Sequence, residues 1–182
     1  MSGGARQGAM PFAYPFVGNR ALLEDARADG PTGVPWLSAD QALARVVPGL
    51  LEEGATFVVS LGGVVLVAPR RSEHVACAGG LEVLAAGELF FASVGGRLRL
   101  VRATNQSTGY CPDLDSWSAL DHALVKADVA APSGFDPEFL FRRCDACGEL
   151  SVVKERWFVC PFCDAELPRA WNVSARRPVD VA

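Results

Sequence analysis

The chain has 182 residues, of which 50% are hydrophobic and 21% are charged, and its formal net charge is −4 at pH 7. This composition excludes a disordered chain and predicts one compact domain, with room for a small appendage. The longest largely apolar run, Ala55–Ala68, spans 14 residues and is split by two glycines, whereas a membrane helix needs about 20. The first residues lack the apolar stretch of a signal peptide, so we expect a cytoplasmic protein with no membrane helix.

The basic side chains are 15 arginines and two lysines, and alanine occurs 27 times, a usage typical of GC-rich bacterial genomes. Nucleic-acid binding normally depends on clustered lysine and arginine, and this chain has no large basic patch. A nucleic-acid partner is therefore not favoured. Four arginines could still meet a phosphate or an acidic partner, namely Arg97, Arg99, Arg142 and Arg143.

The first part of the chain predicts a flexible tail over residues 1–10 and then two helices. Asn19 predicts the N-cap of a helix over Arg20–Asp29, which Gly30 ends. Ser38 and Gln41 form a capping box for a second helix. Pro48 either kinks this helix or ends it at Val47, so that a further turn carries the last apolar residues. The apolar stripe of the second helix consists of Leu43, Val46, Val47, Leu50 and Leu51.

Two β-hairpins follow. The first joins apolar runs over 57–61 and 64–67 through Gly62 and Gly63, which accept the positive φ angles of a tight turn. Unbroken β-branched residues in both runs predict burial on both faces. The second hairpin joins 87–92 to 97–103 around Gly95 and Gly96. In its second strand arginines alternate with leucines, which predicts one solvated and one packed face.

The segment Thr104–Pro112 is too polar for a strand and leads into a third helix. Asp113 or Asp115 would cap this helix. Residues 132–134, Pro-Ser-Gly, then predict a linker into the last module. The buried stripe of the third helix consists of Trp117, Leu120, Leu124 and Ala127.

Four of the six cysteines form a C-x2-C-x12-C-x2-C pattern. Two thiolates separated by two residues can hold one ion from a single tight turn, and two such turns complete a tetrahedron. Twelve intervening residues suit a short antiparallel hairpin over Glu149–Val159, and Gly148 lets the chain leave the first turn. The metal ligands are predicted to be Cys144, Cys147, Cys160 and Cys163.

Residues 142–168 thereby resemble the zinc ribbons, a family of rubredoxin-like metal knuckles. The resemblance implies a ribbon fold and a bound metal, and it implies no particular activity. Zinc is favoured over iron, because a redox role would need partners that the sequence does not show. With no vacant ligand position we expect a structural ion. Two disulfides or unligated thiols are the alternatives, which a reducing compartment disfavours.

The loop ahead of the third helix carries a second resemblance. Asn105, Ser107, Tyr110 and Pro112 follow the pattern N-x-S-G-H-Y-x-P, whereas Thr108 and Gly109 stand where that pattern has Gly and His. On this basis residues 78–131 are similar to a hairpin-loop-helix module of uncharacterised bacterial proteins and of plant IQ-motif calmodulin-binding proteins. The resemblance implies a fold element and a binding loop. The missing His removes any chemistry that used it, and without an IQ-type basic helix calmodulin binding is not implied.

The residues of this loop allow two interpretations. Amides and hydroxyls ahead of a helix can bind an anion or a small polar ligand, or they can close turns on their own backbone while Tyr110 packs. Cys111 and His122 could also pair as nucleophile and base, oriented by Asp121 or Asn105, although nothing in the spacing fixes that geometry. The candidate ligand-binding residues are Asn105, Ser107, Thr108, Tyr110 and Cys111.

Other chemistry-bearing residues are assigned to packing. His74 and Cys77 are expected in the core or a loop. Trp157 and Trp171, both within the predicted ribbon module over 135–171, are expected to pack under the ribbon rather than stack on bases.

The sequence as a whole predicts an α+β fold, with a mostly antiparallel sheet of hairpins, helices covering one face and a C-terminal zinc ribbon. The expected function is a non-enzymatic binding or adaptor protein that uses Zn²⁺ structurally and binds another protein. An enzyme centred on Cys111 and the 105–112 loop is one alternative, and a nucleic-acid-binding ribbon protein is the other. The predicted organisation is a tail over 1–10, an α+β domain over 11–134, a zinc ribbon over 135–171 and a tail over 172–182.

Overall fold

A computed structural model describes residues 10–40 and 42–180. All but the last residue of the predicted N-terminal tail therefore lies outside the described residues, as does Gln41. Within the described ranges, no helix is both long enough and apolar enough to span a bilayer. The α-helices are α1 (Arg20–Asp29), α2 (Ala42–Val46), α3 (Leu50–Glu53), α4 (His74–Cys77) and α5 (Trp117–Lys126). The strands are β1 (Phe12–Ala13), β2 (Val34–Trp36), β3 (Ala55–Ser60), β4 (Val65–Pro69), β5 (Val83–Val94), β6 (Arg97–Thr104), β7 (Leu140–Arg143), β8 (Leu150–Val153) and β9 (Arg177–Pro178).

A five-stranded antiparallel sheet with the order β2-β4-β3-β5-β6 forms the centre of the molecule. Both predicted hairpins are confirmed, as β3–β4 and β5–β6. On β6, Leu98 and Leu100 are buried while Arg97 and Arg99 are exposed, as their alternation predicts. The mixture of helices with antiparallel sheets confirms the α+β class.

Helices cover both faces of this sheet, whereas the sequence predicted one covered face. Leu43, Leu120 and Leu124 join Phe57 and Val59 in the core on one face, under α2, α3 and α5. The neighbouring strand residue, Val58, points to the other face and packs with Ala26 of α1 and Val75 of α4. Burial of successive residues on β3 is the physical reason for its unbroken apolar run.

The first helix is confirmed at both ends. The side chain of Asn19 accepts a hydrogen bond from the amide of Ala21 at 2.8 Å, and Gly30 follows the last turn with a φ of 77°. The space around Gly30 is open, so glycine suits this position because of its positive φ, at which any residue with a Cβ is strained.

The second predicted helix is broken at Pro48, so that α2 ends at Val46 and α3 begins at Leu50. This is the second of the two predicted outcomes. Leu43, Val47 and Leu50 are buried, but Val46 is 58% and Leu51 is 37% exposed, so the predicted five-residue stripe is wrong at these two positions. The break turns the two short helices relative to each other, and one stripe cannot continue across it.

The N-terminal cap of α2 also differs from the prediction. The carboxylate of Asp40 accepts the amide of Ala42 at 2.8 Å, and the hydroxyl of Ser38 donates to Asp40 at 2.8 Å. Asp40 therefore satisfies a free amide of the first turn, and Ser38 supports it. The predicted partner of Ser38, Gln41, lies outside the described residues.

The third predicted helix is capped at its start by Asp113, one of the two residues predicted as its cap. Its side chain accepts the amide of Leu114, a short 3₁₀ turn covers Leu114–Ser116, and α5 follows. Leu120, Leu124 and Ala127 are buried and Trp117 is half-buried against the same core.

The four-cysteine module pairs its strands differently from the prediction. The strand β8 pairs with β7, which precedes the first cysteine, and Val159 forms a bridge with Glu166. The expected hairpin within Glu149–Val159 is therefore wrong: each cysteine turn closes a small hairpin of its own. Between them, the amide of Trp157 donates to the carbonyl of Lys154 in a tight turn.

Residues 172–180 pack back on the body. Val173 is 2% exposed, and β9 pairs antiparallel with β1 near the other end of the described chain.

Candidate metal centre

The four cysteines of the spaced motif lie together, with all four sulfur atoms within 4.8 Å of one another. The Sγ atoms of Cys144 and Cys163 are 3.6 Å apart, and those of Cys147 and Cys160 are 3.7 Å apart. Both close pairs join one cysteine turn to the other. The chain thus brings the two turns face to face.

Backbone hydrogen bonds hold each cysteine turn. The amide of Gly148 donates to the carbonyl of Cys144 at 2.8 Å, and Gly148 adopts a φ of 80° on leaving the turn. In the second turn the amide of Asp164 donates to the carbonyl of Cys160 at 3.0 Å. Amides also reach the sulfurs, from Glu149 to Cys147, from Phe162 to Cys160 and from Ala165 to Cys163. Such amides stabilise thiolates, the ionised form that a metal requires.

These dimensions fit a tetrahedral metal ion. A metal–sulfur distance of about 2.3 Å in a regular tetrahedron places neighbouring sulfurs about 3.8 Å apart. The observed 3.6 and 3.7 Å separations match that spacing. They are far from the S–S bond of about 2.05 Å in a disulfide, and all six cysteines are free. The four cysteines are positioned to bind a metal ion, and the alternative of two disulfides is not what the structure contains.

One side of the centre is buried and the other is exposed. Cys144 and Cys160 are 1% and 0% exposed, whereas Cys147 and Cys163 are exposed. The buried pair packs with Val153 and Leu167 in a small apolar cluster. A core of this size offsets little of the chain entropy lost on folding, so we expect this module to need an ion bound by its sulfurs.

Two arginines of β7 attach the centre to the C-terminal segment. The guanidinium of Arg142 is buried and donates to the carbonyls of Phe141, Pro168 and Arg169 at 2.7–3.0 Å. Arg143 donates to the carbonyls of Gly148 and Val173. Both guanidinium groups thus bind backbone carbonyls of the four-cysteine module and of the segment after it. That they also meet an external anion stays a prediction.

Asn172 completes this attachment by pairing with the backbone of Arg143 in both directions, at 2.9 and 2.8 Å. Sequence reasoning missed Asn172. The sequence indicates this role only through the residue type, since an asparagine side chain can donate and accept at once. The partner of Asn172 lies 29 residues away in the chain, so no local pattern marks the pair.

The two tryptophans near the ribbon behave differently. Trp171 is half-buried, packs edge-on against Tyr14 and donates from Nε1 to the carbonyl of Cys111 at 2.8 Å. Trp157 is 72% exposed, so the expectation that it packs under the ribbon is wrong. The turn at Lys154–Trp157 carries it outward. Phe162, inside the second cysteine turn, is likewise 64% exposed.

Most of the polar loop over 105–112 is buried, although Gln106 and Thr108 are exposed. Asn105 is fully buried: its side-chain amide donates to the carbonyls of Pro112 and Phe139, and its oxygen accepts the amide of Phe139. The hydroxyl of Ser107 accepts the amide of Tyr110, whose own hydroxyl donates to the carbonyl of Leu81.

Among the five candidate ligand-binding residues, Thr108 has an exposed side chain. The other four are buried and bonded within the protein, the situation described by the turn-closing interpretation. Ligand binding by this loop stays a prediction.

The structure does not bring Cys111 and His122 into one site. Cys111 is 2% exposed, packs with Phe141 and Val173, and donates its thiol to the carbonyl of Thr108 at 3.2 Å. Burial raises its thiol pKa to about 12, the opposite of the lowered pKa that activates a nucleophile. His122 lies on the exposed face of α5. The geometry gives no support to this pair as nucleophile and base.

The second Cys and His pair occupies the body, as expected. Burial raises the thiol pKa of Cys77 to about 12, and its sulfur lies 3.6 Å from the carbonyl oxygen of Leu66. His74 begins α4, and its Nε2 donates to the carbonyl of Gly87 at 2.9 Å. Burial lowers the imidazole pKa of His74.

The metal centre is thus defined by its own geometry. Compared with models of protein families, with curated proteins and with solved structures, the chain gives no match. The cysteine cluster is compatible with a metal-binding module over residues 142–168. The resemblance of that module to zinc ribbons and the resemblance of residues 78–131 stay predictions.

Proposed function

We propose that this chain is a non-enzymatic binding or adaptor protein, in which a structural zinc ribbon presents a surface to another protein. One observation carries the proposal: the segment braced by the four-thiol centre exposes Trp157 and Phe162, at 72% and 64%. Large aromatic side chains supply much of the binding energy at protein interfaces. Their exposure on a rigid support lowers the entropy that a partner must remove on binding.

The proposed ion is Zn²⁺, which favours tetrahedral sites of four thiolates. When bound, it supplies a cross-link between the two cysteine turns. The chain's own residues do the rest: Cys144 and Cys160 anchor the centre inside, while Arg142 and Arg143 fix β7 to the C-terminal segment. The proposed compartment is the cytoplasm, where closely spaced thiols stay reduced and available to a metal.

The 105–112 loop has a supporting part in this proposal. Asn105 and the carbonyl of Cys111 bind Phe139 and Trp171, which lie on either side of the cysteine motif. The loop would thereby set the orientation of the ribbon on the α+β body, and with it the direction in which Trp157 faces.

The test compares a double variant of the ribbon, Trp157→Ala with Phe162→Ala, with a matched control, Leu37→Ala, whose side chain is 68% exposed on the body. Each zinc-loaded protein is used to capture partners from lysate of its source cells, with quantitative mass spectrometry. We expect a defined protein to be retained by the wild type and by the control and to be lost from the double variant. Elemental analysis should find one zinc ion per chain in all three.

Two results would overturn the proposal. Retention of the same proteins by the double variant would show that Trp157 and Phe162 do not form the binding surface. Binding of single-stranded nucleic acid that weakens steeply with salt would favour the nucleic-acid alternative instead.

A further inference from the structure

A second surface feature is lined by residues outside the four-cysteine module. A cleft of about 970 Å³ opens between the exposed face of α5 and the two ends of the described chain, at Met10–Pro11 and Val179–Asp180. Small-molecule sites commonly enclose about 300–1,000 Å³. The size of this cleft is therefore suited to a small organic ligand.

The pattern of α5 explains why one wall of the cleft is polar. Leu120, Ala123 and Leu124 turn into the core, and Ala119 lies between the core and the cleft. The opposite stripe, at positions i, i+3, i+4 and i+7, faces the cleft instead. That stripe consists of Ser118, Asp121, His122 and Val125.

The cleft also has an apolar part. Trp117 is half-buried at its edge, and Val125 is 68% exposed within it. Val179 forms the facing wall and is held there by a hydrogen bond from its amide to the carbonyl of Pro11 at 2.8 Å. A ligand with a hydrocarbon body would remove this apolar surface from water, which is favourable.

The charge of the lining defines the head group of the ligand. Asp121 on α5 and Asp180 at the C-terminal end of the described chain both line the cleft. Among the described lining residues there is no lysine or arginine, and neither aspartate forms an ion pair with another described residue. Two carboxylates without a cation beside an apolar wall select a positively charged ligand.

We propose that this cleft binds a small organic ammonium ion, with its hydrocarbon body against Trp117 and Val125 and its cationic head at Asp121 and Asp180. The site is independent of the ribbon and of the proposed partner surface. An ammonium group also donates three hydrogen bonds, and the hydroxyl of Ser118 on the same wall offers a further acceptor.

The test is an NMR titration of the full, zinc-loaded chain with the 2-phenylethylammonium ion. We expect saturable shifts of the backbone amides of α5 and of residues 179–180. The neutral alcohol of the same shape, 2-phenylethanol, should bind at least about tenfold more weakly than the ammonium ion, and phenylacetate should not bind. Added salt should weaken the binding of the ammonium ion only.

Variants locate the site. Asp121→Asn combined with Asp180→Asn should reduce the affinity for the ammonium ion about tenfold, whereas Asp25→Asn on the exposed face of α1 should leave it unchanged. Val125→Lys places a cation in the cleft and should abolish binding, with the dispersion of the spectrum showing that the chain remains folded. The proposal is overturned by equal affinity for the alcohol, by unchanged affinity in the Asn variants, or by shifts that do not saturate.

Discussion

At the scale of single residues, the most informative side chain is Asn105. A polar residue in a polar loop is ordinarily a solvated turn residue, yet Asn105 is 0% exposed and its amide makes three hydrogen bonds. Its partner Phe139 lies 34 residues further along the chain. One side chain thus joins the loop before α5 to the segment that enters β7.

The first prediction concerns removal of this side chain. Asn105→Ala should lower the free energy of unfolding by about 3 kcal/mol, because it leaves buried backbone groups at Pro112 and Phe139 without partners. Urea unfolding followed by circular dichroism measures the change. The neighbouring exposed residue provides the control, and Gln106→Ala should change stability by less than about 0.5 kcal/mol. If Asn105→Ala changed the free energy of unfolding as little as this control, the hydrogen bonds of Asn105 would not be needed for stability.

The second prediction concerns the two cysteines outside the motif. Burial raises the thiol pKa of Cys77 and of Cys111 to about 12. Alkylation requires the thiolate, so near neutral pH both should react about a thousandfold more slowly than an unperturbed thiol. The measurement is the rate of iodoacetamide labelling of each peptide, by mass spectrometry, in folded and in urea-unfolded protein. Rapid labelling of Cys111 in the folded chain would restore the hypothesis of a cysteine enzyme.

At the scale of secondary-structure elements, local signals determine most of what the sequence could predict. Asn19 and Gly30 delimit α1, and the Gly62–Gly63 pair marks the turn between β3 and β4, because capping and turn formation depend on residues close in sequence. Each cysteine turn is likewise formed by residues close in sequence, so the cysteine spacing also predicts the metal centre.

The elements that were predicted wrongly depend on distant contacts. The strand β8 pairs with β7 rather than with residues 157–159, and β7 is itself held by hydrogen bonds to Pro168 and Asn172, which are distant in sequence. The second covered face of the sheet likewise requires α1 and α4 to fold over β3, which periodicity alone does not determine.

The third prediction concerns the ribbon as a folding unit. Removal of the metal by a strong chelator, or by Cys160→Ala, should expose the amides of 142–168 to hydrogen exchange, because an ion in such a site contributes on the order of 10 kcal/mol to folding. The amides of β3 and β5 should remain protected, since their core draws on Phe57, Leu89 and Leu120 and not on the ribbon. Exchange followed by mass spectrometry separates the two regions.

The matched control for this experiment is Cys77→Ala, which removes a buried thiol outside the motif and should leave both the metal content and the protection of 142–168 unchanged. Simultaneous loss of protection in the ribbon and in the central strands would contradict the prediction. It would mean that the ion supports the whole chain and not one module.

At the scale of the whole molecule, the described chain ends meet beside the loop that supports the ribbon. The guanidinium of Arg176 contacts Asp113 at 3.1 Å and lies over the ring of Phe12, with Trp171 on a further side. Together with the β1–β9 pair, this contact ties the C-terminal segment to the start of the body and to the cap of the turn before α5. The four-cysteine module is therefore held to the body by the segments on both sides of its cysteine motif.

The last prediction is a loss of global stability at alkaline pH. Burial raises the pKa of Tyr14, Cys77 and Cys111 to about 12 and also raises the pKa of Tyr110. An unfolded chain releases thiol protons near about pH 8.5 and phenol protons near about pH 10. Above these values the unfolded state binds fewer protons than the folded state, so the stabilising contribution is complete below about pH 8.5 and is lost as the pH rises towards 12.

Each such group should lower the free energy of unfolding by about 1.4 kcal/mol per pH unit across its window. Urea midpoints measured between neutral and strongly alkaline pH would give the slope for the wild type. The double variant Cys77→Ala with Cys111→Ala removes both thiols and should flatten that slope above about pH 8.5, leaving the part that begins near about pH 10 and belongs to the tyrosines. An equal slope in the two proteins would mean that these thiols ionise as readily in the folded chain as in the unfolded one. Water would then have to reach Cys77 and Cys111 in the folded chain.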